Sequence, residues 1–289
     1  MSPSFAQRFA VPLIAVSSLL VSVNGFMLRS FETTNEWQIV YGRNLCFFPT
    51  MLLLLWLTHR GRFVALVRQM GWIGIGAGLC LGLANTTVVL AMSYTTIANA
   101  LFTLSACPLI TAILARIFLK ESVSRLTLIA IVIAMIGIGI MVLDGLDTGS
   151  PKGNLVALLC AIFFSLFVIC LRKGKNRNML PASAIGGIVG VFLGLFGAQF
   201  EYKLSLHDFS ICIIWGGIIV STVHYLFVLG SRYVQGAEIM LITLIEFTLG
   251  PIWVWLAFDE QPTFKALLGG SLVLSAVAGR SIFLIVKRQ

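Results

Sequence analysis

Ten apolar stretches, each long enough to cross a lipid bilayer, follow one another along this chain with little between them. They run over about 10–28, 37–58, 72–91, 97–119, 126–143, 154–171, 181–200, 209–229, 238–258 and 265–286. A spanning helix needs about 20 apolar residues. Inside hydrocarbon, each such segment must satisfy its own backbone N–H and C=O groups, so runs of this length are read as helices. Of the 289 residues, 58% are hydrophobic and only 11% charged, which no soluble globular domain matches. The sequence predicts an all-α membrane protein of ten transmembrane helices, with no room in its short connections for a soluble catalytic domain.

A formal net charge of +9 would suit a nucleic-acid partner if the basic residues clustered among aromatics. They do not. Thirteen Lys and Arg fall at one set of span ends, and four fall at the opposite set. This is the bias of topology determinants, and it places both termini in the cytoplasm. Arg43, Arg116 and Arg280 lie inside spans; the latter two are near enough to an end to be expected to snorkel. Arg8 followed by an apolar run is signal-peptide-like. The run continues past Asn24 to Arg29 without an A-x-A site, so it is read as the first membrane helix. All six Cys lie in spans with no CxxC spacing and are expected to be small core residues.

A shift of 139 residues lays Tyr94 on Tyr233, Ala98 on Ala237 and Glu121 on Glu260. In both copies an apolar helix ends in an acid, ARIFLKES at 115–122 and VWLAFDEQ at 254–261. Five helices per copy is an odd number, so the second copy must be inverted. The predicted organisation is two inverted five-helix repeats, 1–150 and 151–289, forming one membrane domain. Inverted repeats are a signature of secondary transporters, with the site between the halves.

The segment LIEFTLGPIWVWLAFDEQPT at 244–263, with this repeat pattern, resembles the drug/metabolite transporter superfamily. Within it the chain is similar to EamA-type ten-helix exporters and the amino-acid exporter branch typified by YddG. The resemblance implies alternating access around a central cavity in a bacterial inner membrane. Pro251 stands four residues later in its repeat than Pro108 does in the first, so the two broken turns are expected not to be equivalent.

Glu246 is the only carboxylate deep in a span, and an ionised acid there costs about 2.5–3.5 kcal/mol on insertion scales. It either meets a substrate ammonium or exchanges a proton, or it is a neutral acid hydrogen-bonded to a neighbouring helix. Gly250-Pro251, one turn on, is expected to break the helix. His224 is a proton relay or a packed polar residue. Arg43 and Asn44 either hold a carboxylate, or Arg43 is an interfacial arginine that caps helix ends or meets lipid headgroups. Asn24, Tyr41, Asn85, Thr86, Tyr94, Asn99 and Ser105 form an amide and hydroxyl set that either lines a cavity or bonds helices together. Trp253 and Trp255 read as an interface belt, with an aromatic wall for a hydrophobic side chain as the alternative.

No HExxH, Walker loop, membrane-embedded Ser-His or Asp-Asp pair, or Cys/His cluster occurs, so catalytic, metal and cofactor sites are not expected. The expected function is export of small metabolites, foremost amino acids with apolar or aromatic side chains. The expected partners are that substrate and the bilayer, with protons added if Glu246 exchanges one. A proton-coupled exporter of lipophilic cations and a non-transporting membrane scaffold or receptor are the alternatives.

Overall fold

The computed structural model describes residues 9–33, 35–59, 63–95, 97–142, 150–201, 203–258 and 264–286. Among these residues it is all helical. Seven helices are long and apolar enough to cross a membrane: Ala10–Arg29, Glu36–His59, Val64–Tyr94, Ala100–Leu119, Pro151–Lys173, Leu180–Gly197 and Leu206–Ser231. Each coincides with an expected span. The expected fifth and tenth appear as the shorter apolar helices Arg125–Ile140 and Leu267–Arg280, and the ninth is divided in two.

In chain order the elements are α1 (Ala10–Val21), α2 (Asn24–Arg29), α3 (Glu36–His59), α4 (Phe63–Tyr94), α5 (Ile97–Leu104) and α6 (Cys107–Leu114). A π-helical turn, Ala115–Leu119, continues α6, and α7 (Arg125–Val142), α8 (Pro151–Lys173), α9 (Leu180–Gly197) and α10 (Leu206–Cys212) follow. A second π-helix, Ile213–Val220, leads into α11 (Ser221–Ser231), then α12 (Gly236–Thr243), α13 (Ile245–Phe258) and α14 (Phe264–Val286).

Several breaks follow from local chemistry. Within α4, Gly71 takes φ +62, a backbone angle open mainly to glycine, and Arg177 donates to the freed Met70 carbonyl at 3.1 Å. The helix thus bends at Gly71, just before the expected start at 72, while the apolar helix itself begins earlier, at Val64. Pro108 lies in the first turn of α6, where its missing N–H costs nothing. The expected break at Gly250-Pro251 is not present: α13 runs through both residues, and the interruption falls at Leu244. The 139-residue shift that carries Tyr94 onto Tyr233 carries Ser105, the first residue of the α5–α6 break, onto Leu244. Under that shift the two interruptions coincide, whereas Pro108 and Pro251 do not.

Helix packing is closest between α4 and α8, between α9 and both α3 and α4, between α7 and α14, and between α11 and α1. The second π-helix lies on α3, α6 lies on α8 and α12, and α1 lies on α12 and α13. Glycines permit the tightest approaches: a Cβ on Gly190 would collide with the Asn44 amide, and one on Gly194 with the Tyr41 backbone. Without a hydrophobic drive between helices in lipid, such close packing is a main source of cohesion. Exposed Leu, Ile and Val side chains along α7, such as Ile129, Val132 and Ile136, form a face suited to acyl chains.

Candidate functional site

A cavity of about 100 Å³, partly open to the outside, lies among the helices of the bundle. Its wall comes from α1 (Ser17, Ser18, Val21), Asn24 at the start of α2, Arg43 on α3, and Ala84, Asn85 and Val88 on α4. Leu104 and Cys107 flank the α5–α6 break, and α8 contributes Cys160 and Phe164. Val220 and, on α11, Val223, His224 and Phe227 face them, and Met240, Thr243 and Glu246 complete the wall. Apolar and aromatic groups predominate, with a few polar ones placed among them, which is the usual make-up of a small-molecule site.

Glu246 owes its position to the interruption at Leu244. It sits in the first turn of α13, where free N–H groups and the positive end of the helix dipole favour a carboxylate. No hydrogen bond or ion pair joins it to another described residue, so the reading as an acid bonded to a neighbouring helix finds no partner there. The Cys107 and Cys160 side chains line the same cavity.

Arg43 is 2% exposed and faces the cavity, not a lipid interface. Its Nη2 donates to the Asn85 carbonyl at 2.8 Å, and its guanidinium carbon lies 4.8 Å from the centre of the Trp215 ring. Trp215 Nε1 in turn donates to Asn24 Oδ1 at 2.7 Å. The Arg43 Nε has no partner, and no carboxylate pairs with this charge among the described residues. Three helical segments thus meet at one guanidinium, with α2 joined to it through Trp215.

His224 also reaches the cavity wall, but its ring is packed against Phe47 at 5.3 Å and Phe167 at 6.2 Å. Its Nδ1 is unpartnered, and the packed reading fits this apolar surrounding.

The remaining expected residues fall elsewhere. Asn44 is fully buried against α9, and its Nδ2 donates to Val40 O at 2.8 Å. Tyr41 is also at that contact. Tyr94 stands at the end of α4 with the Lys152 ammonium 4.2 Å from its ring centre. Thr86 and Ser105 bond back to the carbonyls of Gly82 and Phe102. The Asn99 and Trp255 side chains lie outside the described residues. Trp253 donates to the Ser22 hydroxyl at 2.6 Å, a helix-to-helix bond rather than a belt position alone.

Sequence reasoning missed Ser17, Ser18 and Thr243 at the wall. Their hydroxyls donate to carbonyls of their own helices, at Ile14, Ile14 and Met240, so nothing in an apolar run marks the face they take. It also missed two ion pairs outside the cavity. Arg172 donates from Nε and Nη2 to Glu121 and from Nη1 to the Ser231 and Arg232 carbonyls, while Glu121 accepts from the Gly236 N–H. Arg280 does not snorkel: it is buried and paired with Glu238.

Three comparisons bear on identity. Residues 8–143 match the EamA-like transporter family. The chain is 27% identical over 180 residues to the uncharacterized transporter YdfC of Bacillus subtilis, covering 60% of this chain and 58% of that one. It is 26% identical over 261 residues to an uncharacterized transporter of Synechocystis, covering 82% of this chain and 73% of that one. A solved crystal structure, at TM-score 0.79 and 13% identity, covers 95% of this chain and 96% of its own and shares the fold. The EamA-like match and the apolar helices describe a multi-pass membrane protein, and both relatives are themselves named as transporters. None of these similarities singles out the YddG branch.

Proposed function

We propose that this protein is a secondary transporter exporting small metabolites, foremost amino acids with apolar or aromatic side chains, by alternating access across the bacterial inner membrane. One observation carries the reading. A carboxylate, Glu246, and a guanidinium, Arg43, line one cavity, and neither has an ionic partner within the described protein. Buried unpaired charges are costly, and a zwitterion would complement both. Its ammonium would meet Glu246, its carboxylate Arg43, and its side chain the Phe164 and Phe227 rings.

The ten-span, inverted-repeat organisation with halves 1–150 and 151–289 draws support from the packing. Exchange each expected span for the one five places on, and the closest pairs map onto one another. The third on the sixth becomes the eighth on the first; the fourth on the sixth becomes the ninth on the first. The shared register of the interruptions at Ser105 and Leu244 is of the same kind. In the proposed cycle the halves rock about these breaks so that one side opens at a time. Both termini are placed in the cytoplasm by the Lys and Arg bias. The Arg172–Glu121 network would then close the cytoplasmic side.

Radiolabelled leucine and phenylalanine flux in proteoliposomes, with and without a pH gradient, tests the reading in wild type, Glu246→Gln and Arg43→Leu. Saturable flux that falls at least tenfold in both variants is expected, about what loss of one charge-assisted contact costs. If wild-type flux follows the gradient and Glu246→Gln flux does not, Glu246 carries the proton. Absence of amino-acid flux alongside transport of a lipophilic cation would replace this reading with the multidrug one.

A further inference from the structure

We propose that Trp215 is a positioning residue that holds the Arg43 guanidinium at the cavity wall as a receptor for a carboxylate. The inference rests on the cavity being the substrate site and adds what fixes its anion-recognising end.

Arg43 cannot be explained as a structural charge. It is 2% exposed, its protein acceptor is one neutral carbonyl, and its Nε is unpaired. A guanidinium offers five donors in a planar fork suited to a carboxylate. Nη2 carries two hydrogens and gives one to Asn85, so a second donor remains beside Nε–H. A planar fork of this kind is useful only if its plane is fixed.

Trp215 fixes it. The indole is 1% exposed, lies under the guanidinium at 4.8 Å, and is itself oriented by donating to Asn24 at 2.7 Å. The next residue completes the clamp: a Cβ on Gly216 would overlap the Arg43 carbonyl oxygen, so the backbones of α3 and the second π-helix touch at this point. The π-helical winding of Ile213–Val220 sets the register that puts a large ring and a bare backbone side by side on α3. Such wide turns recur at functional sites. The contact holds the plane without neutralising the charge, which an acidic partner would do.

The test is ligand-dependent thermal unfolding of the purified full chain in detergent, which yields an apparent Kd for each ligand. The probes are phenylacetate, its neutral amide phenylacetamide, and phenethylamine, all sized for the Phe164–Phe227 wall. Wild type is expected to bind phenylacetate about tenfold or more tighter than the amide. Trp215→Leu is expected to raise the phenylacetate Kd about thirtyfold, the value of a desolvated cation–π contact, and to leave the other two within about twofold. Trp215→Phe keeps a ring, loses the bond to Asn24 and should fall between; it also serves if the leucine variant does not fold. Equal binding of phenylacetate and phenylacetamide by wild type would overturn the proposal. So would an equal loss for all three ligands in the Trp215 variants, since that marks a packing residue. Failure of the amino-acid reading looks different: amino acids neither bind nor move, while the preference for phenylacetate persists.

Discussion

Arg280 donates to the Glu238 carboxylate, and the Thr127 hydroxyl touches both side chains, at 3.0 Å from Arg280 Nε and 3.4 Å from Glu238. These three residues tie α14, α12 and α7 together away from the cavity. Taking two charges out of water is repaid only while both remain. Glu238→Gln is therefore expected to destabilise the protein by about 3–5 kcal/mol, and the double variant Glu238→Leu with Arg280→Met to recover most of that loss. Thermal unfolding in detergent measures both.

A second prediction concerns Arg172. Its guanidinium joins Glu121 after the first π-helical turn to the carbonyls of Ser231 and Arg232, and in the proposed cycle this network would close that end of the bundle. Bonds to charged groups are worth about 1.5–3 kcal/mol each. Arg172→Met should raise the rate at which a small impermeant thiol reagent, added on the side of the 174–179 turn, labels Cys160 by about tenfold or more. An unchanged rate would mean that the network does not close that end.

Gly216 allows no methyl group. The overlap there is with the Arg43 backbone, which cannot rotate aside as a side chain can. Gly216→Ala should cost about 1–3 kcal/mol by overpacking, read as a lower Tm. Gly217→Ala, whose nearest neighbour would be the Thr50 hydroxyl at 3.5 Å, should be nearly neutral.

Asp208 anchors the connection between α2 and α3 to the start of α10. Its two carboxylate oxygens accept the Glu32 and Thr33 N–H groups at 2.9 and 3.1 Å. Asp208→Ala should cost about 1–3 kcal/mol and increase proteolytic cleavage near 30–35, whereas Asp208→Asn, which keeps one acceptor, should lose less.

What the sequence made legible was whatever depends on period and composition alone. Apolar length located the seven helices long enough to cross a membrane, though not the bend at Gly71 within the third. The cost of charge in hydrocarbon singled out Glu246 and Arg43, and both face the cavity. Pairings between distant positions were not legible. Arg280 lies close enough to a helix end to look free, and its partner is 42 residues away. Asn44 looks as functional as Arg43, but the adjacent helical position turns it into the α9 contact. Pro251 drew attention to the wrong turn, because a proline seven residues beyond the interruption does not mark where the ladder opens. Trp215 carried no signal at all, being one more aromatic in an apolar run until the π-helix aims it.

The interruptions are not evenly distributed. Some of the helical runs at the cavity are cut, at Ser22–Val23, Ser105–Ala106 and Leu244, or widened by π turns, while α3, α4 and α8 pass it unbroken; α7 and α14, packed together away from it, also run uncut. Such a bundle is jointed at its centre and stiff where α7 and α14 pair. Its core can change shape while the apolar height of that pair stays constant, so little work is done against membrane thickness. The cycle of such a molecule would be insulated from the elasticity of its lipid, and turnover in bilayers of short and long acyl chains should differ little.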